Sequence, residues 1–381
     1  MKNLETLIQE LCPDGVEFVK LGDCCSFKRG TTITAKNAIP GDVPVLAGGQ
    51  KPAYYHNEAN RTGETIVVAG SGAYAGFVSY WTIPVFLSDS FSVEPDDRLV
   101  VKFVYYFLKN IQQKIFATKK GSGVPHVHGS SIEKFEIPLP PIEVQTEIVR
   151  ILDKFTSLEA ELEAELDCRK RQYEYYRDKL LSFDNVGGQE VTISKIGDIG
   201  RICMCKRIMK NQTNSESGIP FYKIGTFGKV ADAYISNDVY EEYKKLYSYP
   251  KKGDILMSAS GTIGRTVVFN GKPSYFQDSN IVWVDNDETK VFNSYLNYYY
   301  QIIEWKTQGG TIKRLYNNLL AGATIKYPSL EEQHRIVSIL DRFESLTTSL
   351  QSGLPAEIVA RRQQYEHYRD KLLTFKRKGA A

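Results

Sequence analysis

One segment occurs twice in this chain, as RKRQYEYYRDKLLSF at residues 169–183 and as RRQQYEHYRDKLLTF at residues 361–375. Eleven of the fifteen positions are identical between the two copies. Each copy is preceded by a second matching segment, QTEIVRILDKF at residues 145–155 and QHRIVSILDRF at residues 333–343, in which seven of eleven positions agree. Two unrelated amphipathic helices do not share so many positions in the same order, so the chain contains an internal duplication.

Each copy predicts one long helix, and we call residues 141–183 the first rod helix and residues 328–375 the second. Apolar residues recur in alternating steps of three and four, which is the seam of a coiled coil. Neither helix can bury such a stripe alone, so we expect the two to pack together, antiparallel. The expected interface comprises Ile148, Ile151, Phe155, Leu158, Leu162, Tyr173 and Tyr176 in the first rod helix, and Ile336, Ile339, Phe343, Leu346, Leu350, Tyr365 and Tyr368 in the second.

The second rod helix carries four extra residues near SGLPAEI, at residues 352–358. An insertion of four residues adds about one turn and nearly preserves the seam. Pro355 nevertheless predicts a kink or a restart of the helix there, because proline lacks a backbone N–H and clashes with the preceding turn.

The remaining segments, residues 12–140 and 184–327, predict two globular domains that resemble each other faintly. VEFVKLGD at residues 16–23 matches VTISKIGD at 191–198, GETIVVAGSG at 63–72 matches GDILMSASG at 253–261, and DSFSV at 89–93 matches DSNIV at 278–282. Both segments indicate short strands, with one helix each, at residues 101–116 and 291–305. The predicted class is α+β, with two mixed α/β domains separated by two long antiparallel coiled-coil helices in a circular, pseudo-two-fold arrangement.

The two ends of the sequence predict a helical lead-in over residues 1–11 and a basic tail over residues 376–381. No apolar run is long enough to span a membrane, and the first residues lack the apolar centre of a signal peptide. The six cysteines are scattered and form no CxxC pair. This pattern argues against a disulfide framework or a zinc site and predicts a reducing, cytoplasmic location.

The segment ETIVVAGSGAYAG, at residues 64–76, is the strongest candidate for a cofactor loop. Its Gly70, Gly72 and Ala75 fit GxGxxG/A, and Asp89 follows at a distance suited to a ribose. The residues after it are strand-like, however, whereas a dinucleotide requires a helix N-terminus there. We therefore interpret the segment as a tight turn between two strands.

Other catalytic signatures are absent from the sequence. It contains neither the GxxxxGK[ST] phosphate loop nor the N-P-P-[FY] motif with which amino-methyltransferases hold the target amine. His126 and His128 lack a nearby third ligand, so no metal site is predicted.

Basic residues beside Gly, Ser, Thr and Asn in predicted loops are the candidate DNA contacts. Lysine and arginine neutralise phosphates, and Asn, Gln and Arg can read base edges. The net charge is +1 and +4 for the globular segments and −3 and −1 for the rod helices, which favours polyanion contact on the former. The candidates are Lys28, Arg29, Thr31, Thr32, Lys119, Lys120 and Ser122 in the first domain, and Lys206, Arg207, Lys210, Asn211, Thr262, Arg265, Lys313 and Arg314 in the second.

The whole chain resembles the specificity subunits of type I restriction-modification systems. The resemblance rests on the twin rod helices, their Pro-x-x-x-x-Gln openings at residues 140–145 and 328–333, their RRQQYEHYRDKLL-like endings, and the variable domain ahead of each. It implies a non-catalytic subunit whose two variable domains are target recognition domains, each reading one half of a split, asymmetric sequence in double-stranded DNA.

The same resemblance implies partners and cofactors. The rod helices would fix the spacing between the half-sites and dock two methyltransferase subunits, and motor-nuclease restriction subunits would complete the complex. No cofactor is expected in this chain, whereas S-adenosylmethionine, and ATP with magnesium, are expected in the partner subunits.

Two functions of other classes are alternatives at this point. The chain could be a coiled-coil scaffold whose globular heads do not bind DNA, which predicts no salt-dependent DNA binding. It could also be an enzyme whose site is assembled from residues distant in sequence, with the turn at Gly70 as its phosphate loop. The isolated chain would then bind a nucleotide or a methyl donor.

Overall fold

The computed structural model describes residues 4–121, 123–183, 190–310, 313–349 and 352–379. The chain forms two compact units, Met1–Glu163 with Glu357–Ala381, and Ala164–Ala356. Each unit combines one globular domain with segments of both rod helices. Of the site residues predicted above, Ser122 and Leu350 lie outside the described residues.

The first unit is a mixed α/β domain of short strands. Its strands are β1 (Glu17–Lys20), β2 (Cys25–Arg29), β3 (Val43–Leu46), β4 (Tyr54–His56), β5 (Thr65–Ala69), β6 (Val78–Trp81), β7 (Phe86–Leu87), β8 (Ser90–Pro95) and β9 (Glu136–Leu139). Its helices are α1 (Leu4–Leu11), α2 (Leu21–Cys24), α3 (Val101–Asn110), α4 (Gln112–Phe116) and α5 (Gly129–Ile132), followed by the first rod helix, α6 (Ile142–Ser182). The sheets have the orders β1-β9, β2-β8-β5-β6 and β4-β3-β7.

The second unit is built in the same way. Its strands are β10 (Thr192–Lys195), β11 (Gly200–Cys203), β12 (Thr213–Asn214), β13 (Ile219–Tyr222), β14 (Tyr234–Ile235), β15 (Ile255–Ser258), β16 (Thr266–Val268), β17 (Tyr275–Phe276), β18 (Ile281–Asn286) and β19 (Thr324–Tyr327). Its helices are α7 (Asn237–Leu246), α8 (Asn293–Tyr300), α9 (Asn317–Gly322) and α10 (Leu330–Thr348), and α11 (Gly353–Leu372) begins here. The sheets have the orders β10-β19, β11-β18-β15-β16 and β12-β14-β13-β17.

The two units repeat one topology. Each has a two-stranded antiparallel sheet, a four-stranded antiparallel sheet and a third sheet with one parallel pair, β3 with β7 and β13 with β17. The second unit adds strand β12 and helix α7. The predicted fold class, two mixed α/β domains with long helices, is confirmed, and the circular, pseudo-two-fold arrangement stays a prediction.

One interior strand of the four-stranded antiparallel sheet in each unit, β5 in the first and β15 in the second, is buried on both faces. In β5, Ile66 and Val68 belong to the same apolar core as helix α3, while Val67 packs with Leu46 and Leu87 of the neighbouring sheet. Strand β15 is likewise buried at all four positions. A strand that is covered on both faces has a nearly continuous run of apolar residues. This explains the sequences TIVVA of β5 and ILMS of β15.

The glycine-rich segment after β5 is a turn between strands, as predicted. Gly72 and Gly76 have φ of +82° and +86°, values that favour glycine. The segment leads directly into strand β6, so no helix N-terminus is available for a pyrophosphate. The equivalent turn of the second unit places Gly261 and Gly264 at φ of +66° and +84° ahead of β16.

Three predicted helices are shorter than expected. Residues 101–116 form two helices, α3 and α4, which meet at Ile111, and residues 291–305 shorten to α8. The second rod helix ends at Thr348 and restarts at Gly353, whose φ is +79°. Pro355 then lies in the first turn of α11, where its missing N–H has no helical partner to lose. The restart that Pro355 predicts is therefore present.

The apolar stripe of the first rod helix packs on its own domain before it meets the other rod helix. Val144, Ile148 and Leu152 are fully buried in the core of the first unit, with four-residue spacing. In the second unit, Ile336 and Leu340 of α10 are buried in the same manner. The predicted seam therefore serves two surfaces, since its first turns contact the globular domain.

Contacts between the rod helices begin one turn later. In the first unit, the Phe155 ring stacks on Tyr368 at 5.4 Å between ring centres, and Tyr365 lies 6.5 Å away. Arg362 forms ion pairs with Glu159 at 2.6 Å and Glu163 at 3.2 Å. Rising residue numbers in α6 thus meet falling numbers in α11, so the two segments are antiparallel within this unit.

The second unit repeats the aromatic contact, with the Tyr176 ring stacked 5.8 Å from Phe343. Most of the other interface candidates are at least partly covered. Those that are half-buried are Ile151, Leu158, Leu162, Tyr173 and Ile339, and Leu346 is exposed.

A buried glutamine fastens each rod helix to its domain. In the first unit, the Gln145 Nε2 donates to the carbonyls of Pro140 at 2.8 Å and Arg98 at 2.9 Å, and its Oε1 accepts from the Val100 N–H at 2.8 Å. The side chain is fully buried. The glutamine thereby satisfies an N–H at the start of α3 and two carbonyls that have no helical partner.

The second unit contains the same bonds. The Gln333 Nε2 donates to Pro328 and Lys290 carbonyls, both at 2.9 Å, and its Oε1 accepts from the Phe292 N–H at 3.0 Å. The Pro-x-x-x-x-Gln openings are thus explained by one repeated hydrogen-bond pattern.

A tyrosine adds a second link between domain and rod helix. The Tyr106 Oη donates to the Asp153 carboxylate at 2.5 Å in the first unit, and the Tyr298 Oη donates to Asp341 at 2.5 Å in the second. Burial, reinforced by these carboxylates, raises the pKa of both tyrosines. Both therefore stay neutral donors at physiological pH.

We expect Gln145→Leu to lower the free energy of unfolding of the first unit by at least about 2 kcal/mol, because three buried backbone groups lose their partners. Urea unfolding followed by circular dichroism measures the effect. The matched control is Gln363→Leu, the same change at an exposed position of α11. Equal midpoints for the two variants would contradict this role of Gln145.

Candidate nucleic-acid interface

A short hairpin follows the domain helices at the same place in both units. In the first, Lys120 and His126 exchange backbone hydrogen bonds of 2.9 and 2.8 Å. In the second, Gln308 and Arg314 exchange bonds of 3.0 and 2.8 Å. The partners are six positions apart in each case, so His126 and Arg314 occupy equivalent backbone positions.

Each hairpin is fixed to the turn that follows the buried interior strand, β5 in the first unit and β15 in the second. The Val127 N–H donates to the Gly70 carbonyl at 2.9 Å, and the Leu315 N–H donates to the Ala259 carbonyl at 2.9 Å. Val127 and Leu315 are both buried. The side chains of the preceding residues are therefore held beside the turn by the domain core.

A serine of the turn holds a side chain from the neighbouring strand. The Ser71 hydroxyl donates to the Asp89 carboxylate, and the Ser260 hydroxyl donates to the Asn280 Oδ1 at 2.7 Å. Backbone bonds agree with this pairing, because the Gly70 N–H donates to the Asp89 carbonyl and the Ala259 N–H to the Asn280 carbonyl.

The structural equivalent of Asp89 is thus Asn280, whereas the match of DSFSV with DSNIV pairs it with Asp278. The sequence alignment is shifted by two residues here. A shift of two keeps every side chain on the same face of a strand, so the burial pattern cannot reveal it.

The first unit has a cleft of about 180 Å³ beside its hairpin. Arg29, Asp89, His126, His128 and Glu133 line it, together with apolar and small residues. The first cleft therefore contains two carboxylates, one guanidinium and two imidazoles. The His126 Nδ1 lies 2.7 Å from the Val124 carbonyl, which can only accept, so Nδ1 carries the hydrogen.

The basic candidates of the first domain have different surroundings. Lys28 pairs with Glu94 at 2.5 Å, and Arg29 lies 3.8 Å from Asp89. Burial opposes ionisation of Glu94, but the hydrogen bonds from Lys28 and Ser92 and the nearby charges outweigh it and lower its pKa. Lys28 is thus neutralised by a protein carboxylate.

The remaining candidates of this domain lie on its surface. The Lys119 Nζ donates to the Ala73 carbonyl at 3.1 Å and lies 4.4 Å from the Phe116 ring centre. Thr31, Thr32 and Lys120 are exposed. Lys120 is therefore better placed than Lys119 to reach a phosphate.

The second unit has a cleft of about 460 Å³ with a different charge. Arg207, Lys210, Lys223 and Arg314 line it, and Asp278 is the one acid among the described lining residues. Arg207 pairs with Asp278 and Lys223 with Asp232, each at 2.9 Å, whereas Lys210 and Arg314 have no carboxylate partner among the ion pairs of the described residues. The second cleft therefore keeps a surplus of positive charge, which suits a polyanion.

Other candidates of the second domain do not reach this cleft. The Arg265 guanidinium lies 5.4 Å from the Phe227 ring centre and donates to the Ile224 carbonyl at 3.3 Å. Lys206 covers the Tyr247 ring at 4.9 Å. Arg265 is therefore engaged within the protein. Lys206, Asn211, Thr262 and Lys313 are exposed.

Several cleft residues were missed from sequence, among them Asn280, Lys223 and Gln277. Asn280 could have been found only from the strand register, because the match of DSFSV with DSNIV pairs Asp278, and not Asn280, with Asp89. Lys223 opens the segment KIGTFG at residues 223–228, whose glycines resemble those beside the other basic candidates, so the sequence did carry a signal for it.

Two further properties concern the described residues only. Within them, no three His, Cys, Asp or Glu side chains come together in a way that could hold a metal ion. None of their helices has both the length and the apolar character that crossing a membrane requires.

Comparisons with known proteins agree with the repeated architecture. The sequence profile of the type I restriction modification DNA specificity domain matches the chain twice, over residues 13–167 and 188–360. A putative type I restriction enzyme specificity subunit of Haemophilus influenzae is 44% identical, with 98% of this chain and 100% of that protein aligned. The EcoR124I/EcoR124II specificity subunit of Escherichia coli is 29% identical over 98% and 97% of the two chains.

Solved structures share the fold. The S subunit of a type I restriction-modification system from M. genitalium superposes with a TM-score of 0.57 at 17% identity, covering 94% of this chain and 96% of that one. A chain from a structure on complex assembly and conformational transition of the type I R-M system gives a TM-score of 0.60 at 19% identity, covering 95% and 98%. The chain belongs to the family of type I restriction-modification DNA specificity proteins.

Proposed function

We propose that each globular domain of this chain reads one half of a bipartite, asymmetric target in double-stranded DNA. The first domain, residues 12–140, takes one half-site, and the second, residues 184–327, takes the other. The hairpins that contain His126 and Arg314, with the clefts beside them, supply the base-reading groups. The rod helices set the number of unread base pairs between the half-sites.

The general role follows from family membership. The chain is a DNA specificity subunit of a type I restriction-modification system, a recognition subunit rather than an enzyme. The predictions made from the resemblance in sequence are confirmed at this level. The scaffold with heads that do not bind DNA and the enzyme with a dispersed site are thereby set aside.

One observation supports the assignment of a half-site to each domain. The two hairpins hold equivalent backbone positions with bonds of nearly equal length, yet their side chains differ, His126 in one and Arg314 in the other. A domain fold that keeps its backbone while the side chains at a surface cleft vary is suited to reading two different sequences.

The rod helices are suited to separating two reading domains. An α-helix rises 1.5 Å per residue, so α6 with its 41 residues is roughly 60 Å long. Two domains on one face of B-DNA need centres about 34 to 36 Å apart, or a multiple of that distance. A helix of this length has sufficient reach.

We further propose that the rod helices dock two methyltransferase subunits and that motor-nuclease restriction subunits complete the complex. The stacked pairs Phe155 with Tyr368 and Tyr176 with Phe343 are repeated and partly exposed, which supports two equivalent docking surfaces. S-adenosylmethionine, and ATP with magnesium, would then be bound by the partner subunits. Because the target is genomic DNA, we place the complex in the cytoplasm.

The function is tested by co-expressing this chain with its methyltransferase subunit and mapping methylated adenines across the genome by long-read sequencing. We expect a single split motif, with two specified halves around a fixed unspecified gap. An assembled complex that methylates no such motif would refute the proposal.

We expect Lys120→Ala to weaken DNA binding without changing the sequence that is recognised, because an exposed lysine contacts phosphate. The slope of log affinity against log salt should fall by about one. Lys119→Ala should have a smaller effect in the same direction, since its ammonium already bonds to Ala73. Fluorescence anisotropy over a salt series measures both.

Lys170→Ala is the matched control, since Lys170 is an exposed lysine of the rod helix α6. It should leave the slope unchanged. If Lys120→Ala and the control have the same slope, Lys120 does not contact the DNA phosphates.

We expect four residues inserted or deleted near Ala164, in the middle of α6, to change the spacer and leave both half-sites unchanged. Four residues are about one helical turn, or 5 to 6 Å along the axis, the size of one or two base steps. Methylation mapping of the variant measures the gap directly. An unchanged gap, with both halves still recognised, would exclude the rod helices as the spacer.

A further inference from the structure

We propose that Arg314 reads a guanine in one half-site, with Asn280 and Ser260 as the residues that position it. The proposal rests on the proposed function and names one base that the second domain recognises. It follows from the fixed orientation of one guanidinium in a cationic cleft and from its difference from His126 at the equivalent position.

The Arg314 guanidinium is held by a neutral amide. Its Nη2 donates to the Asn280 Oδ1 at 3.1 Å, and the same oxygen accepts from the Ser260 hydroxyl at 2.7 Å. A carbonyl oxygen has two lone pairs, so one amide can accept both bonds. The bond to Asn280 orients the guanidinium and takes only one of its five N–H donors.

The positioning residue is itself fixed by the strand register. The Ala259 N–H donates to the Asn280 carbonyl at 2.7 Å, and the Asn280 N–H donates to the Asp278 carbonyl at 2.6 Å. The backbone of Arg314 is held by its paired bonds with Gln308. Both ends of the Arg314–Asn280 contact are therefore attached to ordered backbone, which limits the entropy that binding would cost.

Of the three arginines predicted as DNA contacts in the second domain, Arg314 has the most available charge. Arg207 is paired with the Asp278 carboxylate at 2.9 Å, and Arg265 lies on the Phe227 ring. Arg314 keeps its full positive charge because its partner is an amide. It lines the cleft together with Lys210, whose compact ammonium group is suited to a flanking phosphate, and with Lys223, which is paired with Asp232 at 2.9 Å.

A planar guanidinium with free paired donors matches guanine. Guanine presents two acceptors, O6 and N7, in the major groove, and arginine bonds to both at once. Adenine presents one acceptor and one donor there, and a guanidinium has no acceptor for the latter. An arginine held in one plane therefore discriminates between the two purines.

The first domain places a different group at the same position. The His126 Nδ1 carries a hydrogen that bonds to the Val124 carbonyl, which leaves Nε2 as an acceptor in the neutral ring. An acceptor pairs with a base amino group and not with guanine O6 or N7. The two domains would then read different bases at matching positions, as an asymmetric target requires.

The test uses the complex of this chain with its methyltransferase subunit and a library of duplexes carrying the wild-type split motif with single base-pair changes. We expect Arg314→Ala to lose discrimination at one G·C pair of one half-site, by about 10- to 100-fold. The other half-site and the gap should stay as they are.

Two variants separate base reading from phosphate contact. Arg314→Lys keeps the charge and loses the planar fork, so we expect it to lose the same discrimination while the salt slope is retained. Lys313→Ala, at the exposed neighbour, should lower the slope and leave the motif unchanged. An Arg314→Lys variant that still requires the guanine would overturn the proposal.

Asn280→Ala provides a check that leaves Arg314 in place. It should lower the discrimination at the same G·C pair, by a smaller factor, because the guanidinium loses its orientation. If neither Arg314 variant binds DNA, an unchanged motif in Asn280→Ala overturns the proposal. Absence of any split motif in the wild-type complex would instead refute the proposed function.

Discussion

The buried amides of Gln145 and Gln333 are the constraint on which the rest of each unit depends. A rod helix must leave its domain where the chain has just completed a strand, and unpaired backbone groups accumulate at that junction. One glutamine in each unit satisfies three of these groups at once, with no exposure to solvent. A buried polar group of this kind is costly unless all its bonds are made, so it specifies one geometry of rod helix and domain.

The domain cores also fix the backbone at the surface clefts. In each unit, β5 or β15 is covered on both faces, and the turn that follows it accepts a backbone bond from the buried residue of the hairpin, Val127 or Leu315. The cleft side chains are thus carried by backbone that the core holds in place. Such an arrangement permits large changes of side chain at the cleft with little effect on the fold, which is the property that a family of recognition domains requires.

The two clefts illustrate this freedom. The first has two carboxylates and one guanidinium, whereas the second has four cationic side chains and one carboxylate. The charges around Asp89 and Asn280 differ, although each of these side chains accepts a hydrogen bond from an equivalent serine, Ser71 or Ser260. Because surface ion pairs contribute little to stability, these charges can change at little cost to the fold, which agrees with the proposed role of the clefts in DNA recognition.

The sequence by itself determined the architecture: the duplication, the rod helices, the restart beside Pro355, the glycine turn after β5 and the repeated mixed domains. These features follow from periodicity, from repetition and from residues whose backbone chemistry is local. The tertiary structure decided that Asp89 and Asn280 occupy equivalent positions in the two units. It also decided the buried bonds of Gln145, the division of the apolar stripe between domain and partner helix, and which cations the protein itself neutralises. Each of these depends on contacts between residues far apart in the chain. A strand shifted by two residues has the same alternation of side chains as the unshifted strand. An arginine that packs on an aromatic ring likewise has the same neighbours in sequence as one that is free to contact DNA.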